Sequence, residues 1–192
     1  MAHVSIIGSG NMGQAVSGLA AKGGNSVELF NSSDADKSVT GDIVVLAVPY
    51  AAVAGIVEAR REQLAGKVVV DLTNPINFET FDGLVTPADG SAAAVIAAAL
   101  PESRVVKAFN TNFGGTLVSG SVGGAATTTV LIAGDDADAK AAVSALAQGA
   151  GLKAVDAGSL KRARELEALA FLQITLAAGE KITWSGGFAV TN

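Results

Sequence analysis

One short stretch constrains this chain more than any other. Val4-Ser5-Ile6-Ile7-Gly8-Ser9-Gly10-Asn11-Met12-Gly13 sets an apolar, strand-like run before three glycines in the spacing G-x-G-x-x-G. A helical pattern follows at once. The three glycines serve different physical ends. Gly8 permits the tight turn, Gly10 lets backbone approach a pyrophosphate, and Gly13 lets helix pack on strand. The helix start also presents unpaired amides, those of Asn11 and Met12, to phosphate oxygens. Alone the pattern is weakly specific. Between a strand and a helix it reads as a dinucleotide-binding turn.

The rest of the chain repeats that alternation. Strand-like runs are expected at His3–Ile7, Ser26–Phe30, Ile43–Ala47, Val68–Asp71, Val105–Phe109, Thr128–Ala133 and Lys153–Val155. They are rich in Val, Ile and Leu and carry few charges, as strands covered on both faces are. Helices are expected at Asn11–Lys22, Ala51–Gln63, Ser91–Ala99, Asp136–Gln148 and Leu160–Ala178. Ser91 and the Asp135-Asp136 pair suit helix starts, and Gly149 and Gly151 suit a helix end. The fold class is therefore α/β: a doubly wound, mostly parallel sheet of Rossmann type. The 192 residues read as a single dinucleotide-binding domain with a C-terminal helical and strand extension. Two irregular segments, Asn74–Gly90 and Asn110–Ala126, are long enough to be functional loops.

In open α/β sheets, ligands bind beyond the carboxyl ends of the strands. The second strand ends in Asn31-Ser32-Ser33 where an NAD-binding chain usually carries a carboxylate. Amide and hydroxyl groups there favour NADP(H), because they donate to a 2′-phosphate that a carboxylate would repel. Asp34 follows at once, no arginine lies near in sequence, and Lys37 is the available cation. The next strand ends run Ala47-Val48-Pro49-Tyr50, Thr73-Asn74-Pro75 and Asn110-Thr111. These segments are expected to share one crevice with the glycine turn. Val48 and Pro49 would flank the nicotinamide with backbone groups. Tyr50 reads equally as a wall of the site or a surface aromatic. Lys107 and Asp71, at strand ends, read as structural groups before catalytic ones.

Composition removes several chemistries. There is no cysteine, and the one histidine is His3, inside the first strand. Thiol nucleophiles, disulfides and cysteine or histidine metal sites drop out, so no metal is expected. Net charge is −5, with no basic run, which argues against nucleic acid and anionic membranes as partners. Arg60, Arg61, Arg162 and Arg164 read as solvated helix faces. No leader-like basic segment and no spanning apolar run is seen, so the expected compartment is the cytoplasm. Hydrophobic residues make up 49% against 16% charged, which hints at apolar surface covered by a second copy. The apolar stretch Ile182–Val190 is a candidate for that contact, or a strand or tail on its own core. With few acids or bases at the strand ends, hydride transfer between two flat rings fits better than hydrolysis.

At this level of detail the chain resembles the coenzyme F420-dependent NADP oxidoreductases and the related cytosolic domain of membrane metalloreductases. Gly8-Ser9-Gly10-Asn11-Met12-Gly13, Leu46-Ala47-Val48-Pro49, Asp71-Leu72-Thr73-Asn74-Pro75 and Val106-Lys107-Ala108-Phe109-Asn110-Thr111 carry the resemblance. Ala133-Gly134-Asp135-Asp136, Val155-Asp156-Ala157-Gly158 and Arg162-Ala163-Arg164-Glu165-Leu166-Glu167 extend it over nearly the whole chain. The resemblance implies a homodimeric cytoplasmic reductase moving hydride between NADP(H) and coenzyme F420 or a flavin. It assigns the pyrophosphate to Ser9, Asn11 and Met12, and the 2′-phosphate to Ser32 and Ser33. Val48, Pro49 and Asn74 would frame the nicotinamide, and Asn110 and Thr111 would lie between it and the acceptor. Reduction of a small carbonyl or imine, and a non-catalytic NADP(H) sensor, are the alternatives.

Overall fold

The computed structural model describes residues 1–191. In chain order the elements are β1 (His3–Ile7), α1 (Asn11–Lys22), β2 (Ser26–Phe30), β3 (Ile43–Leu46), α2 (Tyr50–Leu64), β4 (Val68–Asp71) and α3 (Ala92–Ala99). Then come β5 (Arg104–Lys107), α4 (Gly114–Ser119), β6 (Ser121–Val122), β7 (Ala126–Thr127), β8 (Thr129–Gly134), α5 (Ala137–Gly149), β9 (Lys153–Gly158) and α6 (Ala163–Ala178). Single 3-10 turns occur at Ser32–Asp34 and Leu160–Arg162.

Seven strands form one sheet in the order β2-β1-β3-β4-β5-β8-β9. The first five run parallel, β8 is antiparallel to β5, and β9 is parallel to β8. Side chains alternate between two apolar layers, as strand geometry requires. Ile43 and Val45 of β3 face one way with Val68 and Val70 of β4, against Ala15, Val16 and Leu19 of α1 and Val143 and Leu146 of α5. Val44, Leu46 and Val69 face the other way, against Val53 and Val57 of α2 and Ile96 of α3. The sheet is covered on both faces, which is why its strands read as unbroken apolar runs.

Strand order reverses beside β1, whose neighbours β2 and β3 both follow it in sequence. A crevice opens at such a switch point, at the carboxyl ends of the strands. Gly8 lies there with φ 115°, and its amide donates to the Phe30 carbonyl at 2.9 Å.

Some expectations need correction. The fifth strand stops at Lys107, not Phe109, because Phe109 adopts a left-handed φ of 63° and turns the chain. The segment after it is less irregular than expected, since it contains α4 and the β6–β7 hairpin. The extension after α6 holds no strand among the described residues: residues 183–191 are coil around one turn at Trp184 and Ser185. Its Trp184 ring packs on Phe113 with centroids 4.9 Å apart, and Phe188 N–H donates to Gln173 Oε1 at 2.9 Å. Of the two paired carboxylates, only Asp136 caps α5, accepting from Ala139 N–H; Asp135 accepts from Leu160 N–H. Ser91 caps α3 as expected, and Gly151, not Gly149, takes the left-handed conformation.

Arg60 is the largest departure. It is not on a solvated face: it is 7% exposed and follows Val53 and Val57 along the buried stripe of α2.

Candidate active site

The glycine turn fits a dinucleotide on steric grounds. A Cβ on Gly13 would lie 1.8 Å from the Gly8 carbonyl oxygen, and one on Gly8 would lie 2.1 Å from the Ala47 carbonyl oxygen. Both glycines are fixed by the packing of α1 and β3 on the turn. A Cβ on Gly10 would meet nothing within 4 Å, so that face of the turn is open. No side chain caps α1, and Gly10 is its cap residue. Its first-turn amides therefore remain free for an anion, and the helix dipole adds to the attraction. Gln14 braces the turn by donating to the Ser9 carbonyl at 3.0 Å.

Two cavities flank this turn. One, of about 390 Å³, is lined by Gly8, Asn31, Ser32, Val48 and Pro49, with Ile7, Phe30, Ala35, Ala52, Ile56 and Arg60 among its walls. Its size and its place beside the end of β2 suit an adenosine. The other is a cleft of about 920 Å³ between the start of α1 and the segments after β4 and β5. Asn11, Met12, Asn74 and Asn110 line it, with Gln14, Leu72, Asn112, Phe113, Val118 and Ile174. Phe78 and Phe81, a T-shaped pair 5.5 Å apart, and Trp184 complete it. None of its lining side chains ionises.

Asn74 and Asn110 lock together across the cleft floor. Asn74 Nδ2 donates to the Asn110 carbonyl at 3.0 Å, and Asn110 Nδ2 donates to Asn74 Oδ1 and to the Leu166 carbonyl, each at 3.1 Å. Asn110 Oδ1 is buried without a partner among the described residues, as is Asn112 Oδ1. Both oxygens are closed off from the cleft surface, so what these asparagines show is how tightly the cleft floor is packed. The Thr111 carbonyl accepts from Gln173 Nε2 at 3.0 Å, which ties the Asn110-Thr111 step to α6.

Beneath the cleft lies a buried ion cluster. Lys107 Nζ meets Asp71 Oδ2 at 2.8 Å, Glu167 Oε1 at 2.7 Å and the Thr73 carbonyl at 2.6 Å. Asp71 Oδ1 accepts from Thr73 N–H, and Glu167 accepts from Ala92 N–H at the start of α3. Lys107 and Asp71 are thus structural, as their strand-end positions suggested. Burial raises the Glu167 carboxyl above its ordinary value, against the pull of Lys107.

The sequence-selected residues do not all converge. Ser9 and Gly10 form the open turn, while Gly13, Thr73, Pro75 and Thr111 are buried behind it. Ala47 supplies backbone: its amide donates to the Ile7 carbonyl at 2.8 Å. Ser33 belongs to the turn that Asn31 caps, its N–H and Oγ both donating to Asn31 Oδ1. Tyr50 lies apart, opening α2 and lining a groove between α2 and α3. Burial, and the carboxylates of Glu167 and Asp71, push its hydroxyl above the ordinary value.

Phe78 and Phe81 carry no signal in the sequence, while Trp184 reads there as part of an apolar tail, Glu167 as part of the family resemblance and Arg60 as a solvated face. The aromatics sit in segments without periodicity. Arg60 and Glu167 had a signal: each is a charged residue on the apolar stripe of a helix.

Comparisons with known proteins agree with this geometry. The family model described as NADP oxidoreductase, coenzyme F420-dependent, matches residues 19–75. The F420-dependent NADP reductase of Methanocaldococcus jannaschii is 32% identical over 157 residues, spanning 80% of this chain and 70% of that protein. Metalloreductase STEAP3 of Rattus norvegicus is 39% identical over 108 residues, 56% of this chain but 21% of its own length. A solved structure of a candidate F420-dependent NADP reductase from Arthrobacter sp. FB24 superposes with a TM-score of 0.87 at 26% identity, covering 100% of both chains.

Proposed function

This chain belongs to the coenzyme F420-dependent NADP oxidoreductases, and from that premise we propose that it moves hydride between NADP(H) and coenzyme F420 or a related flavin. The observation that carries this reading is the pairing of an adenosine-sized pocket with a large cleft of non-ionising side chains, on either side of one glycine turn. NADP(H) supplies or takes the hydride, and the carrier ring takes or gives it with a proton exchanged with water.

The chain's own groups bind and orient. Amides of Asn11 and Met12, with Ser9, hold the pyrophosphate at the open face of Gly10. Ser32 and Ser33 meet the 2′-phosphate. Val48 and Pro49, expected from the sequence to flank the nicotinamide, line the smaller pocket beside Gly8. Asn74 and Asn110 present fixed amides to the nicotinamide and the carrier ring. Phe78, Phe81, Phe113 and Trp184 exclude water and favour a flat partner, since aromatic faces pack well on extended rings. Proximity of two rings supplies most of what such a transfer needs.

A small carbonyl substrate fits less well. Its oxygen needs a proton donor during reduction, and the cleft lining offers no acid.

Mixing the protein with NADPH or NADH, with and without F420 or a free flavin, and following loss of reduced nicotinamide tests the reading. Rapid loss with NADPH and F420 is expected. Tight NADPH binding with no turnover on any carrier would overturn it in favour of a sensor.

We further infer a homodimer in the cytoplasm, where reduced nicotinamide is held. Leu172, Trp184, Phe188 and Val190 are exposed apolar side chains on α6 and the tail that follows it, suited to a second copy. No described helix is long and apolar enough to cross a membrane. Light scattering giving the mass of one chain at high concentration would refute the dimer.

A further inference from the structure

The segment that would meet the 2′-phosphate carries no arginine of its own, yet an arginine holds it from behind. Arg60 reaches from α2 to the turn after β2. Its Nη1 donates to the Lys37 carbonyl at 2.7 Å and to Gln63 Oε1 at 3.3 Å. Its Nη2 donates to the carbonyls of Asp34 at 2.8 Å and Ala35 at 3.0 Å. The guanidinium lies over the Phe30 ring, 5.5 Å from its centroid, and lines the same pocket as Asn31 and Ser32.

Two features separate this from ordinary packing. The first is charge. All four oxygens that Arg60 meets are neutral, and the nearby Asp34 carboxylate is engaged by Lys37 Nζ at 2.8 Å. The Asp34 carboxylate, shared with Lys37, feels the charge of Arg60 without pairing with it directly, so the guanidinium still adds positive potential beside Asn31 and Ser32, which a phosphomonoester would neutralise. The second is orientation. Three carbonyls of the turn point at Arg60, and the Asp34 side chain is drawn in by Asn31 N–H at 2.9 Å. Asn31, Ser32, Ser33 and Lys37 are left exposed to solvent.

We propose that Arg60 is a positioning residue for NADP selectivity: it folds the 31–37 turn into a phosphate-facing shape and supplies the charge behind it. This rests on the NADP reading above. The planar fork of arginine is needed, because its two terminal nitrogens divide four oxygens between them, a span that the single ammonium of lysine does not cover.

The test compares kcat/KM for NADPH and NADH in the natural protein, Arg60→Met, Arg60→Lys and, as a control, Arg61→Met on the same helix. In the natural protein NADPH should be preferred. Arg60→Met should lower that preference by about ten-fold or more, the loss of a charged hydrogen-bonding group. The change should fall on KM for NADPH, with kcat and the NADH values little altered. Arg60→Lys should not restore it, and Arg61→Met should not disturb it. If Arg60→Met keeps the preference, or Arg60→Lys restores it fully, the positioning role is wrong while the NADP reading stands. If the natural protein shows no preference, both fall.

Should Arg60→Met fail to fold, the side-chain N–H resonances of Arg60 in the natural protein decide. They should move on adding 2′-AMP and stay with 5′-AMP. An equal response to both nucleotides, or none to either, overturns the proposal.

Discussion

Gly10 and Gly13 share one turn but are glycines for opposite reasons. Gly13 is closed by its own fold, with the Gly8 oxygen where a Cβ would sit; Gly10 faces empty space. Gly13→Ala should therefore destabilise the protein by about 1–3 kcal/mol through overpacking against backbone. Gly10→Val should leave the melting temperature near that of the natural protein, yet raise KM for NADPH. Thermal melts and kinetics on the two variants separate the effects, and a markedly lower melting temperature for Gly10→Val would contradict the open-face reading. Asp34 gives a pH-dependent test. Hydrogen bonding from Asn31 N–H, and then Lys37, holds its carboxyl below the ordinary value of 3.8. A depressed native value means the stabilisation is present above the ordinary value and lost as pH falls through the native one. Asp34→Asn should flatten that acid limb in melts taken across the range, and an unchanged acid limb would show that the carboxylate does not latch the turn.

At the scale of elements, the buried Lys107–Asp71–Glu167 cluster joins β4, β5, α6 and the start of α3. Lys107→Met would leave two carboxylates in the interior without their cation, at about 3–5 kcal/mol. Burial already raises Glu167, and losing Lys107 raises it further. Stability carried by a raised carboxyl is present at low pH and lost as pH rises through its native value. The deficit of Lys107→Met should thus shrink toward acid pH, as denaturant titrations would show; a constant deficit would mean the pair is not coupled.

Much of this level was legible in the sequence. β1, β2, β4 and α1 have the bounds that periodicity gives, because strands buried on both faces are unbroken apolar runs and Gly10 marks the helix start. The antiparallel turn of β8 against β5 was not legible, since pairing direction leaves no mark on an apolar run. Phe109 was hidden as well. Nothing in a phenylalanine signals a left-handed φ; the surrounding packing imposes it, against a penalty of about 1–2 kcal/mol. Asn110 and Asn74 could be chosen from their places at strand ends, whereas their reciprocal amide pair depends on a side-chain geometry set 36 residues apart by the fold. Arg60 was legible in principle, as a charge on a buried stripe, but its target lies 23 to 26 residues away.

Across the whole molecule, the two cavities share no lining residue. A change confined to the outer aromatic wall of the large cleft, away from Asn74 and Asn110, should leave the small pocket intact. Trp184→Ala removes an aromatic wall of the large cleft, one that is already 55% exposed. It should raise KM for the carrier several-fold, on the order of a lost aromatic contact, while the NADPH value stays within about two-fold. Steady-state kinetics with each substrate varied in turn would reveal a parallel rise in both constants, which would mean the cleft is not separate.

The hold of α6 on the site bears on how the protein comes into being. Leu166, Glu167 and Gln173 reach back to Asn110, Lys107 and Thr111, and Gln173 also takes the Phe188 amide. A ribosome delivers the glycine turn first and α6 last. Asn110 and Thr111 are therefore made 56 and 62 residues before the α6 groups that hold them. A chain halted before codon 163 would lack the contacts that Leu166, Glu167 and Gln173 make to Asn110, Lys107 and Thr111.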